Sequence, residues 1–235
     1  MSKLLLENGI EPIMQISCRD RNKIALQSDI LGANALGIQN ILCITGDSVK
    51  NGDQQNAKAV HEFESVKLLK QIQAFNKGID PTFGELSDKK TSIFPGAAAD
   101  PSCMNKKSLK NRIQKKKEAG ARFIQTQMVM EKENLIEFCD TIAIPLDIPV
   151  IAGVFLLKSY KNALFINKYV PGANIPEHVL NRLKDAKDPL EEGIQIASEQ
   201  AQDFMNIADG IHLMAVKAED LIPDILKRAN LNLEY

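Results

Sequence analysis

Short apolar runs recur along this chain, and a helix-period stretch follows almost every one. The runs cover residues 12–18, 40–45, 92–96, 123–127, 149–154 and 210–215, each bounded by polar or turn residues. Their length and their β-branched content are those of buried strands. Between and after them lie stretches 23–36, 62–75, 108–119, 132–143, 158–169, 189–208 and 218–229. In the second of these, Val66, Leu69, Ile72 and Phe75 fall near one stripe, as on the buried face of a helix. Strand–helix alternation of this kind demands a parallel sheet covered by helices.

Two architectures meet that demand. A doubly wound open sheet normally carries a glycine-rich turn after its first strand. Neither G-x-G-x-x-G nor G-x-x-x-x-G-K-[ST] occurs here. The predicted fold is therefore α/β, a (β/α)8 TIM barrel. A closed barrel needs eight strands and about 250 residues, whereas this chain has 235 residues and six strand-like runs. Residues 173–186 read as an extra helix: Asn174 and Pro176 suit its start, and Val179, Leu180 and Leu183 give it an apolar stripe.

Charge and cysteine usage exclude several classes of function. Lys and Arg nearly balance Asp and Glu, for a net charge of −1, so neither nucleic acid nor a membrane surface is the expected main partner. Cys18, Cys43, Cys103 and Cys139 form no C-x-x-C pair and have no histidine at zinc spacing. No metal site, no disulfide and a reducing compartment are predicted. No signal peptide is visible and no apolar run approaches about 20 residues, so the expected location is cytoplasmic.

In a barrel the chemistry sits at the C-terminal ends of strands. The segment from Ile16 to Asp47, ISCRDRNKIALQSDILGANALGIQNILCITGD, contains two such ends in succession. The first is Ser17-Cys18 followed by Arg19-Asp20-Arg21-Asn22; the second is Thr45-Gly46-Asp47. Asp47 after a glycine suits either a loop cap or a carboxylate facing a ligand. Gln127 ends another run and offers both a donor and an acceptor. The lysines of residues 106–117 suit a solvated helix face. Phe94-Pro95-Gly96-Ala97-Ala98 has small residues that leave room for a cofactor or allow tight packing. His61, His178 and His212 are scattered, and a lone strand histidine such as His212 is read as a core residue with no catalytic role.

These motifs together resemble the methylenetetrahydrofolate reductase family, FAD-dependent enzymes of one-carbon metabolism and methionine biosynthesis. Besides residues 16–47, the resemblance rests on PGAAADP at 95–101, KKKEAGARFIQTQ at 115–127, PVIAGVFLLKSYKNA at 149–163, ANIPEHVLNRL at 173–183 and GIHLMAVKAED at 210–220. All stand in the family's order. The resemblance begins in the helix before the family's third strand. It thus implies a single barrel domain over residues 1–235 with six of eight strands, and without the acid on the family's first strand. Open edges at residues 12–18 and 210–215 would then call for a second copy or a partner subunit.

The resemblance also implies roles. Asp47 is the candidate catalytic residue, near the flavin ring and the folate. Gln15, Thr45, Gly46, Asp47, Phe94, Ala98 and Lys116 are candidates for binding FAD, with Lys116 near its phosphates. Gln15 stands where the family often has histidine. Gln127 is the candidate for the folate pterin, and Tyr160 for packing on the folate. Met214 and Ala218 replace positions that bind NADH in some members, so the donor is NAD(P)H or another reductant. The implied activity is reduction of 5,10-methylenetetrahydrofolate to 5-methyltetrahydrofolate. The alternative is a flavin- or folate-binding subunit or remnant without turnover.

Overall fold

The computed structural model describes residues 1–86, 90–170 and 172–231. Six long strands alternate with helices, and the class read from the sequence, a (β/α)8 barrel represented by six of its eight strands, is the one observed. The chain divides into two compact units: residues 1–98 with 110–124, and residues 99–109 with 125–235.

The first unit opens with a short helix α1 (Ser2–Glu7), which buries none of its residues. Strand β1 (Ile13–Ser17), helix α2 (Lys23–Ala35), strand β2 (Asn40–Ile44) and helix α3 (Ser65–Asn76) follow. A small antiparallel pair comes next, β3 (Ile79–Asp80) with β4 (Gly84–Glu85), and then strand β5 (Phe94–Ala99). In the sheet β2 lies between β1 and β5, and both pairs are parallel. Ile41, Leu42 and Cys43 of β2 are all buried, as expected of a parallel strand covered on both faces. Leu26 and Ile30 of α2, and Leu68, Leu69, Ile72 and Phe75 of α3, are fully buried. Asn22 caps α2 by accepting the Ala25 N–H through its side chain. Helix α4 (Lys106–Glu118) buries Leu109 and Ile113, the pair one turn apart.

The second unit holds most of strand β6 (Phe123–Met128), helix α5 (Lys132–Phe138), strand β7 (Val150–Phe155) and helices α6 (Tyr160–Tyr169), α7 (Glu177–Asp185) and α8 (Pro189–Met205). Strand β8 (Gly210–Met214) and helix α9 (Ile222–Arg228) complete it. Its strands run in the order β6, β7, β8, with β7 and β8 parallel. The extra helix expected within residues 173–186 is α7, with Val179 and Leu183 in a cluster that includes Leu157, Ala163, Ile166 and Ile196. Arg182 of α7 reaches α8, bonding Glu192 at 2.6 Å and Glu199 at 2.7 Å. Asp188 caps α8 by accepting the Leu190 and Glu191 N–H groups, with Pro189 in the first turn.

Several boundaries differ from expectation. The run placed at residues 92–96 forms a strand that starts two residues later and ends three residues later, Phe94–Ala99. The helix expected over residues 132–143 is α-helical to Phe138 and then a π turn over Cys139–Ala143. The last helix begins as a 3₁₀ turn, Glu219–Leu221. The β3–β4 pair was not foreseen, since two-residue strands carry no periodicity.

Two helix glycines face opposite surroundings. A methyl group on Gly193 of α8 would collide with the Leu157 carbonyl oxygen, whereas one on Gly32 of α2 would meet nothing within 4 Å. Alanine favours an exposed helix interior over glycine by roughly 0.5–1 kcal/mol. Gly32→Ala is expected to stabilise the protein by about that amount. Gly193→Ala is expected to cost about 1–3 kcal/mol, the toll of overpacking. Urea unfolding of both variants checks the opposite signs.

Candidate functional site

In the first unit, strand register sets which residues share an edge. Ser17 is level with Ile44, and Cys43 with Ala97, so Ser17, Ile44 and Ala98 align at the C-terminal edge of β1, β2 and β5. Thr45, Gly46 and Asp47 leave β2 at that edge. Gly46 has φ +89, and a side chain there would collide with Ser17 Oγ and Arg19 Cβ. Only glycine lets the β2 exit pass this close to the β1 exit. Thr45 Oγ1 accepts the Ser65 N–H at 3.2 Å, which ties the strand end to the start of α3.

Lys116 comes to the same edge from α4. Its Nζ donates to the Ala98 carbonyl at 2.7 Å. Burial pushes its pKa down, and the nearby Arg112 guanidinium adds to this, against Glu64 and Cys43 acting the other way. A half-buried ammonium beside a second cation suits the approach of an anion. Asp47 is exposed, and its carboxylate has no hydrogen-bond partner among the described residues. Its backbone oxygen accepts from Arg19 Nη1 at 3.5 Å. Arg19 binds Asp20 at 2.6 Å and is held charged by that contact, with Asp47 and Asp53 adding to it.

The other two first-unit candidates lie elsewhere on the sheet. Gln15 is exposed in the middle of β1, level with Leu42. Phe94 opens β5, level with Asn40 at the N-terminal edge. Four residues separate it from Ala98, about 13 Å along a strand. Its ring stacks on Phe123 at 5.8 Å under the Arg122 guanidinium. The small residue Gly96 makes room for the Phe123 ring itself. Thr45, Gly46, Asp47, Ala98 and Lys116 are thus brought together, while Gln15 and Phe94 are not.

In the second unit, Gln127 is exposed near the end of β6. Tyr160 starts α6 after the Ser159 cap and packs, half-buried, on the cluster around Leu157 and Ile196. Among the described residues, cavities of about 390 and 310 Å³ open on this unit, and neither of these is lined by Gln127 or Tyr160. Among the described residues, no group of three or more His, Cys, Asp or Glu is placed to hold a metal ion. No helix among them is long and apolar enough to cross a membrane.

The family model for methylenetetrahydrofolate reductase matches residues 1–230. The chain belongs to the methylenetetrahydrofolate reductase family. Similar curated proteins include a probable methylenetetrahydrofolate reductase (NADPH) of Caenorhabditis elegans, 24% identical over 95% of this chain and 33% of its own length. Another is methylenetetrahydrofolate reductase 2 of Saccharomyces cerevisiae, 27% identical over 95% of this chain and 37% of its own. The chain therefore spans about a third of the length of these relatives. Among solved structures it resembles a protein from Clostridium thermocellum described as binding two copies of 5-methyl-5,6,7,8-tetrahydrofolic acid. The TM-score is 0.50 at 13% identity, covering 98% of this chain and 99% of that one. At that identity the likeness concerns the fold.

Sequence reasoning passed over the roles of several residues at these edges. Glu64 and Arg112 set the charge around Lys116, yet neither stands in a motif. Ser17 accepts the Arg19 N–H and Ser65 accepts the Thr45 hydroxyl at 3.3 Å, each through its own Oγ, with no sequence signal beyond position at a strand end or helix start.

The direction of the Lys116 shift fixes a pH dependence. Its folded-state pKa lies below the unfolded value, so the native state gives up this proton first as pH rises. Between the depressed value and the ordinary lysine range near 10.4, the unfolded chain binds more protons and stability rises with pH. Lys116→Met removes this contribution. Unfolding free energies measured from about pH 7 to 10 are expected to rise for wild type relative to the variant. Parallel profiles would show that Lys116 is not desolvated.

Proposed function

We propose that this protein binds a reduced folate and, with FAD bound, reduces 5,10-methylenetetrahydrofolate to 5-methyltetrahydrofolate. The observation that carries the reading is the family match over residues 1–230. The 5-methyltetrahydrofolate bound by the similar Clostridium thermocellum protein agrees with it. The residues of the first unit suit FAD. Lys116 is a half-buried cation whose only hydrogen-bond partner among the described residues is a carbonyl, and a cofactor phosphate would complete it. Thr45, Gly46, Ala98 and Lys116 would hold FAD along the strand edge they share. Gln15 would contact it from β1. Phe94, at the opposite edge of β5, is left out of this set.

FAD supplies the hydride in such a reaction; the chain supplies placement and charge. Asp47, exposed and with no hydrogen bond to its carboxylate among the described residues, acts at the flavin ring by placing a negative charge there. Gln127 pairs with the pterin edge through an amide that both donates and accepts. Tyr160 lays its ring against the folate. The reductant is NAD(P)H or another donor, which turnover assays with each candidate would separate.

A yellow purified protein with measurable folate affinity and turnover would support this function. A colourless protein would remove FAD from it, and folate binding without turnover would make the chain a binding subunit. Lys116→Ala is expected to weaken FAD binding by an amount that shrinks as salt rises, because it acts through phosphate charge. Asp47→Ala is expected to shift the flavin reduction potential instead. Gln127→Leu removes a hydrogen-bonding edge worth about 1–3 kcal/mol. It is expected to weaken folate binding roughly tenfold to a hundredfold and leave flavin binding unchanged, as two titrations would show.

A further inference from the structure

His212 stands in the middle of β8, half-buried, and level with Gly153 of β7. From β6, across β7, the almost fully buried Gln125 reaches it: Gln125 Nε2 lies 2.8 Å from His212 Nδ1. An amide NH₂ only donates, so Nδ1 accepts and the ring proton resides on Nε2. Burial lowers the pKa of His212, which keeps the ring uncharged near neutral pH. Nε2 has no hydrogen-bond partner among the described residues and is not a sealed, unsatisfied atom. A core histidine would spend both nitrogens on the protein; this one spends a single nitrogen and offers the other. Alternation along β6 points Gln125 the same way as Gln127, two residues and about 6.6 Å further on.

We propose that His212 is a further ligand-binding residue of the second unit, with Gln125 holding its ring so that Nε2–H donates to an acceptor on the pterin ring of the folate. This rests on the folate reading of Gln127 above. Gln125 is then a positioning residue: it fixes the tautomer and orientation of the imidazole without touching the ligand. Gln127 and His212 form a two-point recognition edge, an adaptable amide and a fixed donor.

The test is imidazole NMR on the full chain, with 5-methyltetrahydrofolate as probe. The protein has only three histidines, so loss of one signal set in His212→Gln assigns the ring. The free protein is expected to show the Nε2–H tautomer at His212. Added folate is expected to shift the His212 Nε2 resonance and leave His61 and His178 in place. His212→Phe is expected to weaken folate binding about tenfold to a hundredfold. His212→Gln, whose amide can present a donor near the same point, should recover part of it. Gln125→Leu should mix the tautomers and give a smaller loss. Wild-type binding with no His212 shift and unchanged affinity in His212→Phe would overturn the proposal and leave the folate reading standing. No folate binding by wild type would overturn both. Loss of one signal set in His61→Gln and in His178→Gln assigns the His212 signals by difference, so the wild-type spectra decide the question even if the His212 variants fail to fold.

Discussion

A parallel strand flanked by two others and buried on both faces has no free polar edge along its length. β2, with Ile41, Leu42 and Cys43 buried in succession, is such a strand, and β7 buries Ala152, Gly153 and Val154 in the same way. Every backbone group must find its partner in the ladder, because an unpaired one would be stranded away from water. Polar chemistry is thereby pushed to the strand ends, where the ladder stops. The first unit shows the result: Thr45, Gly46 and Asp47 leave β2 where Ser17 and Ala98 end the ladders on either side.

The alternation of strands and helices was legible because burial on two faces demands continuous apolar runs, and such runs stand out in a sequence. Boundaries were less legible where side chains carry little signal. Phe94 is the instructive residue. Reading the strand as residues 92–96 put Phe94 near its end; the strand continues through three alanines, so Phe94 opens it. Alanine has no marked preference for strands, and only the ladder to β2 shows that Ala97 is part of one. The grouping of Thr45, Asp47 and Lys116 was legible only through the family's motifs. Lys116 sits in a run of lysines that periodicity alone assigns to solvent, yet it is the one that turns inward to the Ala98 carbonyl.

That inward turn has a thermodynamic cost. Desolvating an ammonium disfavours folding unless a counter-charge is supplied. The acidic group that acts on it, Glu64, is itself exposed, and Arg112 works against the charge. A site that binds an anion tolerates this arrangement, because the ligand brings the missing charge and the binding free energy includes relief of the strain. Stability given up in the free protein is a common accompaniment of a binding site.

His212 escaped the sequence reading for a related reason. A single histidine in an apolar strand reads as core, and the feature that changes this is the asymmetry of its two nitrogens, which no spacing encodes. Gln125 is buried on β6 with an amide that must find a partner, and His212 of β8 stands level with Gly153 of the intervening strand β7. The amide therefore extends over β7 to β8. The same bond that satisfies Gln125 consumes the Nδ1 lone pair and fixes the proton on the far nitrogen. One buried side chain thus solves its own desolvation problem by orienting a donor on another strand, and the cost of burying an amide becomes the means of aiming an imidazole.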